Sequence, residues 1–190
     1  MRPPQWPAAL RAAIPRAPRA EAACAPTSAR LGAWCPAMAI GRSGEWWVGS
    51  DLSDVSEFLA AFTQSEDAYP AREFKEVRCP CGSERYRLER AAEVTRRTCA
   101  ACGSSRVILR TDEDWEEAEV EEGKEPYECA ICTCKEANVV VGFAGYDEDP
   151  ELDGVKWFYV GVRCAACGLL GCFNDGKVGR GPAAEVYESV

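Results

Sequence analysis

The sequence contains no histidine in its 190 residues, and this absence removes much of enzyme chemistry. Ser-His-Asp and Cys-His nucleophiles, imidazole general bases and histidine-bound catalytic zinc are all excluded. Lysine- or carboxylate-based catalysis is left, and the acidic run at residues 147–153 could supply carboxylates. Since such a run is more typical of a solvated loop, we expect a protein that is not an enzyme.

Long apolar runs are also missing. Runs such as residues 139–141 and 157–160 are far shorter than the about 20 residues that a membrane-spanning helix needs. Proline and arginine repeatedly interrupt residues 1–37, which argues against a secretory signal. We therefore predict a cytoplasmic protein that makes no membrane contact.

Residues 1–37 show no helical or strand periodicity and are predicted to form a disordered tail. Two alternatives stay open. The stretch is basic and poor in acidic residues, as transit peptides are. Translation could instead begin at Met38, because abundant arginine and alanine are typical of GC-rich genomes, in which spurious upstream extensions arise easily.

Cysteine, in contrast, is abundant, with 12 residues. A disulfide scaffold of this size requires export, for which no signal is visible. Without export the thiols stay reduced, and clustered reduced thiols usually bind a metal. The cysteine content therefore indicates a metalloprotein.

Most of the cysteines fall into two similar units, residues 72–110 and 129–190, each with two close groups of thiols separated by a strand-rich segment. The peptide Cys-Ala-Ala-Cys-Gly occurs once in each unit, which indicates an internal repeat. The candidate metal ligands are Cys79, Cys81, Cys99, Cys102, Cys129, Cys132, Cys134, Cys164 and Cys167.

A structural zinc site requires this arrangement, because two tight turns each offer two thiolates and a hairpin brings the turns together. Gly103 and Gly168 directly follow a cysteine pair and suit a turn with positive φ. With these motifs the sequence resembles the class of four-cysteine zinc ribbons over residues 79–102 and 129–167. The resemblance implies two Zn²⁺ ions, each held by four thiolates. An iron–sulfur cluster or redox disulfides are the alternatives.

Three thiols compete for two ligand positions in the second unit. The usual spacing of a zinc-binding turn favours Cys129 with Cys132, whereas alignment to the first unit favours Cys132 with Cys134. Cys172 is either a buried thiol or a spare ligand. The two remaining cysteines, Cys24 and Cys35, lie in the tail and are expected to have no role.

Two helices are predicted outside the cysteine units. Residues 38–71 include an amphipathic helix from Asp51, which Ser50 or Asp51 can cap. Its apolar stripe consists of Leu52, Val55, Phe58, Leu59 and Phe62. Residues 111–128 carry ten acidic residues against Lys124 alone, and Thr111 with Asp114 forms a capping box for a solvated linker helix.

Strands are predicted at residues 139–143 and 155–162, and the Asn-Asp-Gly sequence at residues 174–176 predicts a hairpin turn. Each cysteine unit is too small to build a full core, so metal binding should supply much of its folding energy. We therefore predict a small, metal-stabilised α+β fold of two tandem zinc ribbons.

The distribution of charge along the chain bears on whether the partner is a protein or a nucleic acid. The chain has a net charge of −9, but residues 72–110 carry ten basic residues against five acidic ones. Phosphate contacts could involve Tyr86 and five arginines: Arg85, Arg87, Arg90, Arg96 and Arg97. The alternative is a solvated face that the acidic helix neutralises. We expect an adaptor module that binds another protein, with nucleic acid as the second hypothesis.

A redox switch is the third hypothesis. The spacing of Cys132 and Cys134 with Cys164 and Cys167 resembles the zinc centre of a redox-regulated heat-shock chaperone family. That resemblance implies disulfide formation between neighbouring cysteines, zinc release and unfolding of the module under oxidation. Only the cysteine spacing matches that family.

Overall fold

The computed structural model of the chain describes residues 40–64, 68–146, 154–178, 183–188 and 190. The predictions for the tail at residues 1–37, for Cys24 and Cys35, and for the acidic run at residues 147–153 lie outside these residues. Within them, no helix is long and apolar enough to cross a bilayer.

The described residues form a strand-rich α+β fold. The helices are α1 (Leu52–Phe62), α2 (Asp112–Glu122) and α3 (Ala183–Glu188). The strands are β1 (Gly41–Ser43), β2 (Trp46–Val48), β3 (Glu73–Glu76), β4 (Tyr86–Ala91), β5 (Val94–Cys99), β6 (Ser105–Ile108), β7 (Glu125–Pro126), β8 (Ala137–Gly145), β9 (Val155–Cys164) and β10 (Leu170–Lys177).

One antiparallel sheet of eight strands contains both cysteine units. Its order is β10-β9-β8-β4-β5-β6, with β3 also beside β8 and β7 also beside β4. The strands β1 and β2 form a separate hairpin. The two units are therefore joined edge to edge at β4 and β8, and they share one continuous sheet.

The two units are related by a local two-fold axis. Tyr86 pairs with Cys99 in the first unit, and Ala137 pairs with Cys164 in the second. Tyr86 and Ala137 also pair with each other where β4 meets β8. Because these two residues hold equivalent positions on antiparallel strands, the axis passes between them. The internal repeat that the Cys-Ala-Ala-Cys-Gly peptides indicate is thus also a symmetry of the fold.

Each half of the chain contributes a strand and a helix that pack on the other half. The strand β3 precedes the first cysteine unit but pairs with β8, and β7 precedes the second unit but pairs with β4. In the same way α1 packs on β8, β9 and β10, whereas α2 packs on β4, β5 and β6. The exchange is reciprocal, because each cysteine unit is covered by one strand and one helix from the other half of the chain.

Helix α1 begins with a capping box in which the Asp51 side chain accepts from the Asp54 amide and the Asp54 side chain accepts from the Asp51 amide. Its apolar stripe packs on the second unit, and Leu52, Val55 and Leu59 are almost fully buried. Burying each such side chain contributes about 1.5–3 kcal/mol. The predicted amphipathic helix is therefore a principal part of the hydrophobic core.

Helix α2 lies within the predicted acidic linker segment of residues 111–128. The capping box of Thr111 and Asp114 is present, and the helix ends before Gly123, where φ is 74°. Pro126 then lies in β7, because proline is tolerated in an edge strand but not inside a helix. The helix docks through Trp115, which is 2% exposed and packs against the first unit.

The predicted hairpin turn at residues 174–176 is wrong, because the segment continues through β10. The Asn174 side chain is buried and donates to the Thr95 hydroxyl (2.9 Å) and the Ala92 carbonyl (3.3 Å). A register shift between Cys172 and Asn174 lets the strand stay paired with β9. Tertiary hydrogen bonds have overridden the local turn signal.

Candidate metal centres

The structure assembles eight of the nine candidate cysteines into two groups of four. The first centre consists of Cys79, Cys81, Cys99 and Cys102, and the second consists of Cys129, Cys132, Cys164 and Cys167. All four sulfur atoms of each centre lie within 4.8 Å of one another. The shortest contacts between pairs are 3.6 Å in the first centre and 3.5 Å in the second. Four sulfurs placed about 2.3 Å from one tetrahedral ion are about 3.8 Å apart, so both centres fit a single ion.

A recurrent turn positions the two cysteines of a pair. In the turn that begins at Cys99, its amide donates to the Ser104 carbonyl (2.8 Å) and the Gly103 amide donates to the Cys99 carbonyl (3.0 Å). The turn that begins at Cys164 has the same two hydrogen bonds, and its Gly168 has φ 75°. Glycine follows the second cysteine in both because the turn places this residue in the left-handed region.

The turn at Cys129 resolves which thiols come together in the second unit. The Cys129 amide donates to the Cys134 carbonyl, and the Thr133 amide donates to the Cys129 carbonyl, both at 2.9 Å. Thr133 thus takes the left-handed position, with φ 58°, that glycine holds in the other turns. The residue before it, Cys132, is the second cysteine of the turn.

Cys134 lies outside the second centre. It occupies the place that Ser83 holds in the first unit, where the turn is one residue shorter and the Cys79 amide donates to the Ser83 carbonyl. Its thiol donates to the Glu136 carbonyl at 3.6 Å. The ligand set that the chaperone resemblance implied, with Cys134 in place of Cys129, is not the set that the structure assembles. Cys172 is a buried thiol beside the Asn174 carbonyl (3.4 Å) and belongs to neither centre.

Burial and backbone amides act on the thiols in opposite directions. Amide groups of Cys102 and Ala101 donate to Cys99 and lower its pKa to about 6. Burial opposes ionisation of Cys164, yet the amides of Cys167 and Ala166 outweigh it and lower its pKa to about 6 as well. At Cys129 burial prevails and raises the pKa to about 12. The turns thus stabilise thiolate, the form that binds a metal, in one cysteine of each centre.

The two centres have different neighbours. Beside the first centre the Arg97 guanidinium donates from Nη1 to the Tyr86 hydroxyl (3.3 Å) and lies 5.3 Å from its ring centroid. Burial and the charges of Cys79 and Cys99 raise the pKa of Tyr86, whereas Arg97 acts to lower it. Beside the second centre, burial and then the charges of Cys164 and Cys129 raise the pKa of Tyr127. Sequence inspection placed neither tyrosine beside a centre, although Tyr127 lies only two residues before Cys129.

Each arginine considered for phosphate binding has a partner, and the side chains of Arg85 and Arg87 stay 63% exposed. Tyr86 and Arg97 are buried, at 1% and 8% exposure. The other four pair with carboxylates, Arg85 and Arg87 with Glu136, Arg90 with Glu125, and Arg96 with Glu89. Among the described residues, therefore, the ion-pair partners of these arginines lie on strands and loops rather than on α2.

The two centres are the groups of cysteine and carboxylate side chains, within the described residues, that gather ligand atoms closely enough to hold a metal ion. Each offers four thiolates, the full set for a tetrahedral structural ion. Comparison with protein-family models, with curated proteins and with solved structures found no match to this chain.

Proposed function

We propose that the protein binds two Zn²⁺ ions, one in each four-cysteine centre, and acts as a non-catalytic binding module. The sulfur contacts of 3.5–3.6 Å in both centres carry the proposal. An all-thiolate tetrahedral donor set suits zinc or iron. A cluster of several irons would hold its cysteine sulfurs farther apart, because iron and sulfide atoms lie between them. The spacing therefore favours one ion per centre.

A structural role follows from the number of ligands. Four thiolates complete the tetrahedron and leave no position for water or substrate, whereas a catalytic zinc keeps one open. Binding of a structural zinc contributes about 10–16 kcal/mol at neutral pH in small zinc domains. Two such ions would contribute a large part of the folding free energy of this chain, in which each cysteine unit is covered by elements from the other half.

We propose another protein as the partner. Aromatic and aliphatic side chains are exposed at Trp46 (41%), Tyr69 (39%) and Ile131 (48%), and such residues are enriched at protein interfaces. The net charge of −9 and the pairing of the arginines with carboxylates support a protein partner over nucleic acid.

Metal analysis and native mass spectrometry of the purified full chain test the first part of the proposal. We expect two zinc ions in the wild type and one in Cys81→Ser, which removes a ligand of the first centre. Cys134→Ser, outside both centres, should retain two. A single metal ion in the wild type, or iron as the bound metal, would contradict the proposal.

Affinity capture from the native cell tests the second part. Trp46→Ser removes an exposed aromatic ring on the β1–β2 hairpin, and Val120→Ser changes an exposed aliphatic side chain on α2. We expect capture of a specific protein to be lost in Trp46→Ser and kept in Val120→Ser. Capture of nucleic acid that falls steeply with salt would favour the second hypothesis instead.

A further inference from the structure

We infer that the second centre is the exchangeable one of the pair, releasing its ion and reacting with thiol reagents faster than the first centre. The inference rests on the proposed function, since it takes both centres to hold zinc. It rests on pairs of positions, one in each cysteine unit, that the local two-fold axis relates but that have different side chains.

The first difference is a buried cation. Arg97 lies on β5 two residues before Cys99, and the equivalent residue before Cys164 on β9 is Val162. Arg97 is 8% exposed, and its Nε atom has no hydrogen-bond partner among the described residues. No carboxylate in the described part of the chain forms an ion pair with it. A buried charge without a partner is strongly unfavourable, so Arg97 needs an anion nearby.

We take the first centre to be that anion, because Tyr86 is a neighbour of both the guanidinium and the first-centre cysteines. Four thiolates and one Zn²⁺ leave a net charge of −2, and Tyr86, which contacts the guanidinium, stands opposite Cys99 in the β4–β5 pair. A cation held beside zinc-bound thiolates stabilises their negative charge and lowers their reactivity toward electrophiles and protons. The first centre should therefore keep its ion.

The second centre lacks this compensation. Ala137 and Val162 stand where the first unit has Tyr86 and Arg97, and both are almost fully buried, at 0% and 3% exposure. Burial raises the pKa of the neighbouring Tyr127, so its hydroxyl stays neutral and offers the centre a hydrogen bond rather than a charge. At these two positions the second centre thus has apolar side chains where the first has a hydroxyl and a guanidinium, and Arg163, next to Cys164, donates instead to the Gly49 carbonyl and the Asn138 side chain.

The second difference is a spare thiol. Cys134 replaces Ser83 at the end of the turn, two residues after Cys132, and its thiol donates to the Glu136 carbonyl at 3.6 Å. Cys79 and Cys81 show that two cysteines separated by one residue can serve as a ligand pair, and Cys132 and Cys134 have this spacing.

These positions would allow a ligand exchange. With zinc bound, the Cys134 sulfur would take the place of one of the four thiolates, and the departing sulfur would take up the proton that Cys134 gives up. No oxidant or reductant would be needed. A chelator or an alkylating reagent should therefore react faster with the second centre than with the first.

The test uses the zinc-loaded full chain with N-ethylmaleimide and a chromophoric zinc chelator. Release of zinc is followed by absorbance, and peptide mapping at each time point identifies the labelled cysteines. We expect two phases, with label on the second-centre cysteines in the fast phase and on the first-centre cysteines in the slow phase. Equal rates, or first-centre labelling in the fast phase, would overturn the inference without any variant.

Three variants separate the causes. Arg97→Met should accelerate the slow phase about tenfold, as loss of an outer-shell partner does, and Arg97→Lys should keep the wild-type rate. Cys134→Ser should slow the fast phase and leave the slow phase unchanged. Wild-type rates in both Arg97→Met and Cys134→Ser would contradict the assigned causes. The zinc content before labelling, two ions or fewer, separately decides the proposed function.

Discussion

Tyr86 and Ala137 pair with each other where β4 meets β8, and they hold equivalent positions in the two cysteine units. Their contact marks a two-fold axis within a single chain. It also explains why each unit is covered by a strand and a helix from the other half of the chain. When equivalent strands pair antiparallel, the segment that precedes each unit in the sequence lies beside the opposite unit. The halves are thus interdependent.

Separating the halves should therefore prevent folding. A fragment of residues 40–110 retains the strands of the first unit but lacks α2 and β7, which cover them. We expect neither this fragment nor residues 111–190 to give a dispersed NMR spectrum alone with zinc, whereas mixing the two during refolding should restore the wild-type spectrum. A folded monomeric fragment of residues 40–110 would contradict the reciprocal exchange.

Gly161 on β9 is needed for the close approach of α1. A Cβ atom at this position would lie 2.7 Å from both Leu59 Cδ1 and Val55 Cγ1. We expect Gly161→Ala to lower the free energy of unfolding by about 1–3 kcal/mol, because overpacking forces the helix away from the sheet. Gly171→Ala is the matched control, since its Cβ would lie 3.8 Å from Val162 Cγ2, an ordinary contact. Urea unfolding of the zinc-bound variants measures both, and equal values for the two would be inconsistent with this packing.

Trp115 anchors the acidic helix α2 to the first unit. It packs with Ala91, Val94 and Val107, and the Arg96 guanidinium lies 4.3 Å from its ring centroid. Trp115→Ala should lower the free energy of unfolding by about 3–5 kcal/mol, as for other large aromatic truncations. Val120→Ala on the same helix, where the side chain is 86% exposed, should change it by less than about 0.5 kcal/mol. A small effect of Trp115→Ala would mean that α2 is not docked as the structure has it.

Local signals in the sequence account for the helix caps and for most of the cysteine pairing. Asp51 and Thr111 each begin a helix with a capping box, and the glycines after Cys81, Cys102 and Cys167 mark three of the four turns. The turn at Cys129 was ambiguous because Thr133 takes the left-handed position without the glycine that would have identified it.

Other features depend on tertiary contacts that no local pattern carries. Asn174 belongs to a strong turn sequence, yet its side-chain bonds to Thr95 and Ala92 hold it in a strand. The partner of β3 could not be predicted either, because a strand of four residues contains no information about which edge it joins. The reciprocal exchange is visible only when both units are assembled.

The shared sheet predicts that damage to one centre spreads to the other unit. Cys81→Ser removes a ligand of the first centre, and the turn it destabilises directly follows β3, which is paired with β8. Hydrogen exchange in this variant should therefore accelerate in β8 and β9 as well as in β4 and β5, because metal binding is coupled to folding. The comparison is with Cys134→Ser, which leaves both sets of four ligands intact. Acceleration confined to β4–β6 would show that the two units unfold independently despite their common sheet.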